Sequence, residues 1–224
     1  MSIIYKPTRG PECWQDFLAD PEKHWKTGFS AKSMAYAWDT YKGLPKRVSD
    51  TLSAISDKIE PLLVIPEYKV PMPGEGGASQ NDAFLLARVG DQTAAIMIEG
   101  KVNESFGPTL KEWLKNASDN KLFRLNAIYE TLGLSGDQSP ALRYQLFHRT
   151  ASAVLTATRF KTDLAIMLVH SFSQDHVWFD DYARFAQTLG IIEPVRGKAQ
   201  KSTTQTAMPL YLGWITGEAR FLEM

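Results

Sequence analysis

Apolar positions recur at two periods along this chain, and the change from one to the other predicts its architecture. After a stretch of scattered Pro, Gly and aromatics, in which Trp14, Phe17 and Trp25 are the expected anchors, Ser30 precedes Ala31, Met34, Ala35 and Trp38 at helical spacing. Ser30 is the expected N-cap, and Gly43 and Pro45 the expected terminators. Val48, Leu52, Ile55 and Ile59 share one face of a second predicted helix over 47–59. The period then shortens. Residues 62–70 read as a strand that Pro66 pushes toward an edge or a bulge, and the Gly- and Pro-rich segment 71–80 reads as a flexible connector that could act as a flap. Residues 83–89 and 93–102 flank the turn Gly90-Asp91 and predict a β-hairpin.

Helical spacing returns over 110–134, with a break expected at Ser118-Asp119-Asn120, and again over 142–160. Residues 163–170 predict a buried strand, and 178–189 a helix closed by Gly190. Residues 193–208 are polar and are expected to be mobile; 210–216 predict a closing strand, and 218–223 a short further one. Helices before and after a central mixed sheet make an α/β layered domain. The chain is expected to be one domain over 1–224, with a core over about 30–170 and helix and strand additions over 171–224.

The predicted hairpin gives the chemistry its setting. Asp82 stands at the start of one arm, and Glu99-Gly100-Lys101 ends the other after the apolar run Ala94-Ala95-Ile96-Met97-Ile98. In an antiparallel pair those places lie at the same end of the sheet. Two carboxylates suit Mg²⁺ or Mn²⁺, and a lysine can stabilise phosphate charge or help a water lose its proton. A same-face Glu–Lys pair at i and i+2 is otherwise an ordinary surface pair of little worth, and a lone Asp at a strand start is an ordinary turn residue. An apolar strand covered on both faces places its terminal charges at a sheet rim, where sites form.

This arrangement resembles the PD-(D/E)XK nuclease superfamily, the restriction-endonuclease-like fold. Its αβββαβ core carries an Asp at the start of the second strand and acidic-X-Lys at the end of the third. Asn81-Asp82 stands where the family has Pro-Asp, and Glu99-Gly100-Lys101 stands as acidic-X-Lys. The resemblance implies catalytic roles for Asp82, Glu99 and Lys101, with Mg²⁺ or Mn²⁺ held by Asp82, Glu99 and the carbonyl of Gly100. Members often add a Glu on the first helix; here the nearest acids are Asp39 and, on the preceding strand, Glu67. The helix after the third strand often supplies Gln, Lys or Arg, and Gln145, His148, Arg149 and Ser152 share one face at i, i+3, i+4 and i+7. The implied activity is a metal-dependent phosphodiesterase acting on nucleic acid, DNA in preference to RNA. The rival is a catalytically inactive protein of the same fold that serves as a binding module. Many nucleases of this fold act as homodimers.

Composition narrows the alternatives. With 25 basic and 25 acidic residues, no global field recruits a polyanion, so contact with nucleic acid must come from local patches such as Arg196, Lys198 and Lys201. The single cysteine, Cys13, forms no internal disulfide or cysteine zinc cluster. There is no HxxxH or HxH for a histidine zinc site, no GxSxG around Ser30, Ser33 or Ser79, and no GK[ST] after the glycines of 73–77. His170 reads as a satisfied, semi-buried strand histidine, His24 and His176 have no evident partner, and Met34, Trp38, Trp113 and Trp178 read as core. The opening residues lack a signal peptide's apolar stretch and no run approaches a membrane span, so a cytoplasmic protein without membrane contact is expected.

Overall fold

The structure, a computed structural model, describes residues 9–41 and 44–224; residues 1–8 and 42–43, including the expected terminator Gly43, lie outside that description. It is an α/β fold: among the described residues, a six-stranded mixed open sheet carries helices on both faces. The strands are β1 (Ile59–Val70), β2 (Ser79–Val89), β3 (Gln92–Lys101), β4 (Leu164–Ser171), β5 (Ala199–Lys201) and β6 (Leu210–Thr216), in the spatial order β1-β2-β3-β4-β6-β5. β1, β2 and β3 form an antiparallel meander; β3, β4 and β6 are parallel; β5 closes the far edge antiparallel to β6.

Strand alternation explains the two cores. Ala94, Ile96 and Ile98 of β3 and Leu164, Ile166 and Leu168 of β4 point to one face, where Met34 and Trp38 of α2 (Ser30–Thr40) and Val48 and Leu52 of α3 (Lys46–Leu52) cover them. Ala95 and Met97 of β3 and Ala165, Met167 and Val169 of β4 point to the other face. There they meet α5 (Asp119–Thr131), α6 (Tyr144–Phe160) and α7 (Phe179–Thr188). Burial on both faces is why β4 reads as a continuous apolar run rather than an alternating one. Asp163 fixes its register by accepting from the Thr93 N–H at 2.7 Å and the Thr93 hydroxyl at 2.9 Å.

Several boundaries differ from the sequence reading, each for a local reason. α2 begins at Ser30 itself; the Ser30 N–H is capped by the Glu104 carboxylate at 2.8 Å, from beyond β3. The predicted helix over 47–59 stops after Leu52, and Ile59 opens β1. The break at Ser118 is real, because Ser118 is the N-cap of α5 and separates it from the short α4 (Leu110–Trp113). Residues 218–223 hold a 3₁₀ turn, Ala219–Leu222, and no strand. The segment 193–208 is tied down: it contains β5, and Ser202 donates to the Leu189 carbonyl at 2.7 Å. Gly190 lies at φ 80, and a Cβ there would sit 1.8 Å from Thr203 Oγ1, so this turn admits no side chain.

The connector between β1 and β2 is latched onto α5. Asn120 accepts from the Glu75 N–H at 2.8 Å and donates to the Glu75 carbonyl at 2.7 Å; Arg124 donates to the carbonyls of Glu75 and Gly77. These bonds replace the flexible flap expected from its glycines. The N-terminal anchors divide: Trp14 is buried, while Phe17 and Trp25 are half-buried. Of the aromatic residues expected in the core, Trp38 is buried on one face of the sheet; Trp113 and Trp178 pack on the core of the other face from partly exposed positions. Among the described residues, no helix is long and apolar enough to cross a membrane. A 3₁₀ helix, Pro11–Phe17, and the short α1 (Pro21–His24) precede α2.

Candidate functional site

The site begins where β2 and β3 part. The ladder between β2 and β3 runs only as far as Ala83–Ile98, whereas β3 stays paired with β4 through Lys101. The end of β3 thereby loses one neighbour, and backbone groups facing that gap need other partners. Asp82 supplies one: its Oδ2 accepts the Gly100 N–H at 2.5 Å. On the other side, β1 pairs with β2 at Pro66–Ala83 and Tyr68–Asn81. Continued one step, these registers bring Glu67, Asp82 and Glu99 into one row across three adjacent strands, with Glu99 just past the last β2–β3 pair. Like charges directly opposite one another repel, so such a row needs compensation.

Compensation reaches Glu99 first. Its Oε1 accepts from Lys101 Nζ at 2.6 Å and Gln145 Nε2 at 2.8 Å, and its Oε2 accepts from Arg149 Nε at 2.5 Å. Glu99 is 3% exposed and Lys101 5%. Burial alone would raise the Glu99 carboxyl, but Arg149 and Lys101 outweigh it and hold the group down to about 2. Asp82 goes the other way. Burial, then the charges of Glu99 and Glu67, push its carboxyl well above the usual carboxylate range, and Lys101 and Arg149 only partly offset this. Two neighbouring carboxyls are thus driven apart.

Glu67 sits at φ 51, a left-handed conformation that costs a non-glycine residue roughly 1–3 kcal/mol. The kink changes the strand's facing, so that Ile65 and Tyr68, three apart, pack on the same core. Gln80 Nε2 donates to Glu67 Oε2 at 2.7 Å. Pro66, which suggested a bulge in sequence, stands directly before this kink.

Gly100 is required by packing. A Cβ there would lie 2.6 Å from Met34 Cγ and 3.2 Å from Asp82 Oδ2, so α2 rests directly on the backbone between Glu99 and Lys101. Glu104 holds the start of that helix, accepting the N–H groups of Ser30 and Val102, each at 2.8 Å. Burial raises the Glu104 carboxyl; the backbone hydrogen bonds overcome it and leave the group below its ordinary value.

A cavity of about 250 Å³ opens over this row, walled by Glu67, Asp82 and Glu104 with Gln80, Arg149 and His24. The three chemistry-bearing residues of the sequence motif, Asp82, Glu99 and Lys101, are brought together, and Gln145 and Arg149 join them through Glu99. Glu67 joins through its place in the row. His148 does not reach the carboxylates; its Nδ1 lies 2.8 Å from Ser79 Oγ. Ser152 bonds its own helix at the His148 carbonyl. Asp39 is elsewhere, accepting from Trp14 Nε1 at 2.6 Å. His170 is buried and neutral, lowered by burial to about 3, and its Nδ1 makes no hydrogen bond among the described residues, unlike the satisfied histidine expected. Sequence reasoning missed Glu104 and Gln80 and weighed Ser79 only as a hydrolase serine. Gln80 and Ser79 had a usable signal in their adjacency to Asp82; Glu104 had none, because its role is to cap a helix 74 positions away.

Among the described residues, no group of three or more His, Cys, Asp or Glu side chains is close enough to hold a metal ion as it stands. No curated protein and no solved structure matches this chain. A family profile matches residues 7–219, so the chain belongs to that family, a domain of unknown function, DUF6946.

Proposed function

For a member of this family of undefined function, we propose a metal-dependent phosphodiesterase of the restriction-endonuclease-like type, acting on nucleic acid and on DNA in preference to RNA. The observation that carries the reading is the row Glu67, Asp82 and Glu99, with Lys101 on Glu99 and with Glu67 and Asp82 facing a cavity. Carboxylates arrayed across splayed strands, with a buried lysine beside them, are costly to the fold and useful to phosphoryl chemistry.

The donor set fits a hard divalent cation. It is all oxygen, and the Asp82 carboxyl, raised first by burial and then by the charges of Glu99 and Glu67, stands where a cation would be welcome. Asp82, Glu99 and the Gly100 carbonyl would hold Mg²⁺ or Mn²⁺, with Glu67 beside them. An extended residue presents its N–H and C=O to the same side, so the Gly100 carbonyl shares the gap in which its N–H meets Asp82. Such an ion, when bound, polarises a phosphoryl oxygen and lowers the pKa of a bound water. The protein's own groups do the rest. Lys101, held by Glu99, keeps an ammonium beside the reacting centre to orient a water or meet phosphate charge. Gln145 fixes the other lone pair of Glu99 Oε1. Arg149 lines the cavity and presents a fixed guanidinium to a phosphate.

The test is cleavage of single- and double-stranded DNA and RNA in Mg²⁺ or Mn²⁺ by the wild type, Asp82→Ala and Lys101→Ala, with thermal melting to verify folding. Loss of cleavage in both folded variants is expected; equal cleavage by all three sinks the reading. The second reading, an inactive nuclease-fold protein that only binds, draws on one observation: both oxygens of Glu99 already carry donors from Lys101, Gln145 and Arg149. It predicts no thermal stabilisation by millimolar Mn²⁺, where the enzyme reading predicts a rise that Asp82→Ala removes.

A further inference from the structure

A second cavity, of about 240 Å³, lies behind the wall of the first. Ser79 and His148 line it, while their chain neighbours Gln80 and Arg149 line the carboxylate cavity. The two spaces are opposite in character. The first carries three carboxylates; the second has no acidic side chain in its lining and is walled by Arg124, Tyr144, His148, Ser79 and the backbone of Gly77.

Donor bookkeeping sharpens the contrast. A guanidinium has five N–H donors. Arg124 spends two on the carbonyls of Gly77 and Glu75, at 2.9 and 2.8 Å, and its buried Nε makes no hydrogen bond among the described residues. None of the ion pairs among the described residues includes Arg124. Its charge is thus fixed in place by neutral oxygens. His148 adds a further donor. Arg149 Nη1 donates to Ser79 Oγ at 2.9 Å and also approaches His148 Nδ1 at 3.4 Å, so the Ser79 hydroxyl passes its proton toward Nδ1 at 2.8 Å. Nδ1 is then the acceptor and Nε2 carries the hydrogen. Burial, with Arg149 and Arg124 nearby, keeps this imidazole neutral, which leaves Nε2 a donor and nothing more. The Tyr144 ring packs on His148 at 4.9 Å and on Trp113 at 3.9 Å, which holds its hydroxyl beside Arg124.

We propose that this second cavity is an anion subsite that takes one phosphate group of the nucleic acid other than the one being cleaved. The proposal rests on the phosphodiesterase reading for its macromolecule, and on Arg124, Tyr144 and His148 for its chemistry. The shared wall Ser79–Gln80 and His148–Arg149 makes it a ruler: a phosphate seated on Arg124 sets which bond reaches Asp82. A terminal phosphate and an internal one present the same oxygens, and the experiment separates them.

Inorganic phosphate is titrated by calorimetry into the wild type, Asp82→Asn, Arg124→Gln and Tyr144→Phe, against chloride of equal ionic strength. Saturable binding is expected in the wild type and Asp82→Asn, roughly tenfold weaker in Arg124→Gln and roughly threefold weaker in Tyr144→Phe. Absence of saturable binding, or equal affinity in all four proteins, overturns the subsite. Should Arg124→Gln not fold, Tyr144→Phe and the phosphate-induced shift of the His148 ring signals in the wild type decide the matter, no shift being the negative result. Metal-free Asp82→Asn then binds labelled strands with a 5′-phosphate or a 5′-hydroxyl. Tighter binding of the phosphorylated strand that Arg124→Gln abolishes identifies a terminal phosphate; equal binding that Arg124→Gln weakens for both identifies an internal one. Phosphate binding with neither strand bound removes nucleic acid as the partner and leaves the anion site. Cleavage intact with no phosphate binding removes the subsite alone.

Discussion

Gly100→Ala isolates the contact that joins the first helix to the motif. The backbone at Gly100 is not in a left-handed conformation, so alanine is permitted there, and the whole penalty comes from space. The new methyl would meet Met34 Cγ at 2.6 Å, in the middle of a side chain that is 1% exposed. Overpacking of this kind costs roughly 1–3 kcal/mol. Replacing a strand glycine returns about 0.5–1 kcal/mol of backbone entropy, so a net loss of about 0.5–2 kcal/mol is expected. Met34→Ala by itself should cost about 2–5 kcal/mol, through lost burial and the cavity left behind. With Met34 shortened only the 3.2 Å approach to Asp82 Oδ2 remains, and once that carboxyl shifts by a few tenths of an ångström Gly100→Ala should stabilise by up to about 0.5–1 kcal/mol. The prediction is a reversal of sign between two backgrounds, measured by urea unfolding of the four proteins of the cycle with tryptophan fluorescence as probe. An effect of the same sign in both backgrounds would show that α2 does not rest on Gly100 as described.

Arg149→Met should cost about 3–5 kcal/mol at pH 7, since it strips the chief partner from a buried carboxylate. Glu99 is depressed from 4.5 to about 2, so its contribution, roughly 3 kcal/mol, is present above pH 4.5 and lost as pH falls toward 2. The deficit of the variant should therefore shrink in acid, and a gap unchanged between pH 7 and pH 3 would refute it. Asp82→Asn should raise the thermal midpoint at pH 7 while ending activity. The Asp82 carboxyl is raised, so its ionised form opposes folding above its unfolded-state value, and the amide removes that charge; a lower midpoint would contradict this. Glu104→Ala should lose roughly 2 kcal/mol by urea unfolding, from two charge-assisted bonds to Ser30 and Val102. Asn120→Ala should speed amide exchange at Glu75 through Gly77 with little change in global stability; unchanged exchange would mean the loop is held by something else.

The sequence by itself determined what local periodicity and local chemistry can specify. Alternation of two sets of apolar residues in β3 and β4 reflects burial on both faces, and a run such as Ala94 to Ile98 says so without any partner being known. Turn and cap residues act over four or five positions, which is why Gly90-Asp91, Ser118 and Gly190 marked true boundaries. The spacing of Gln145 and Arg149 on one helix face was legible for the same reason. Tertiary structure alone decided the charge balance. That Glu99 would be locked by Arg149 depends on α6 lying across the end of β3, fifty positions away in sequence. That Asp82 would be the raised acid follows from its burial beside Glu99 and Glu67 where β2 and β3 part. Glu104 as the cap of α2, and Asn120 and Arg124 as latches of a glycine-rich connector, have no local pattern at all, because a hydrogen bond across the fold imposes no spacing on the chain. Propensity and period are properties of neighbours in sequence. Electrostatic compensation is a property of neighbours in space: the register of β1, β2 and β3 gathered the acids, and α6 brought Gln145 and Arg149 to Glu99.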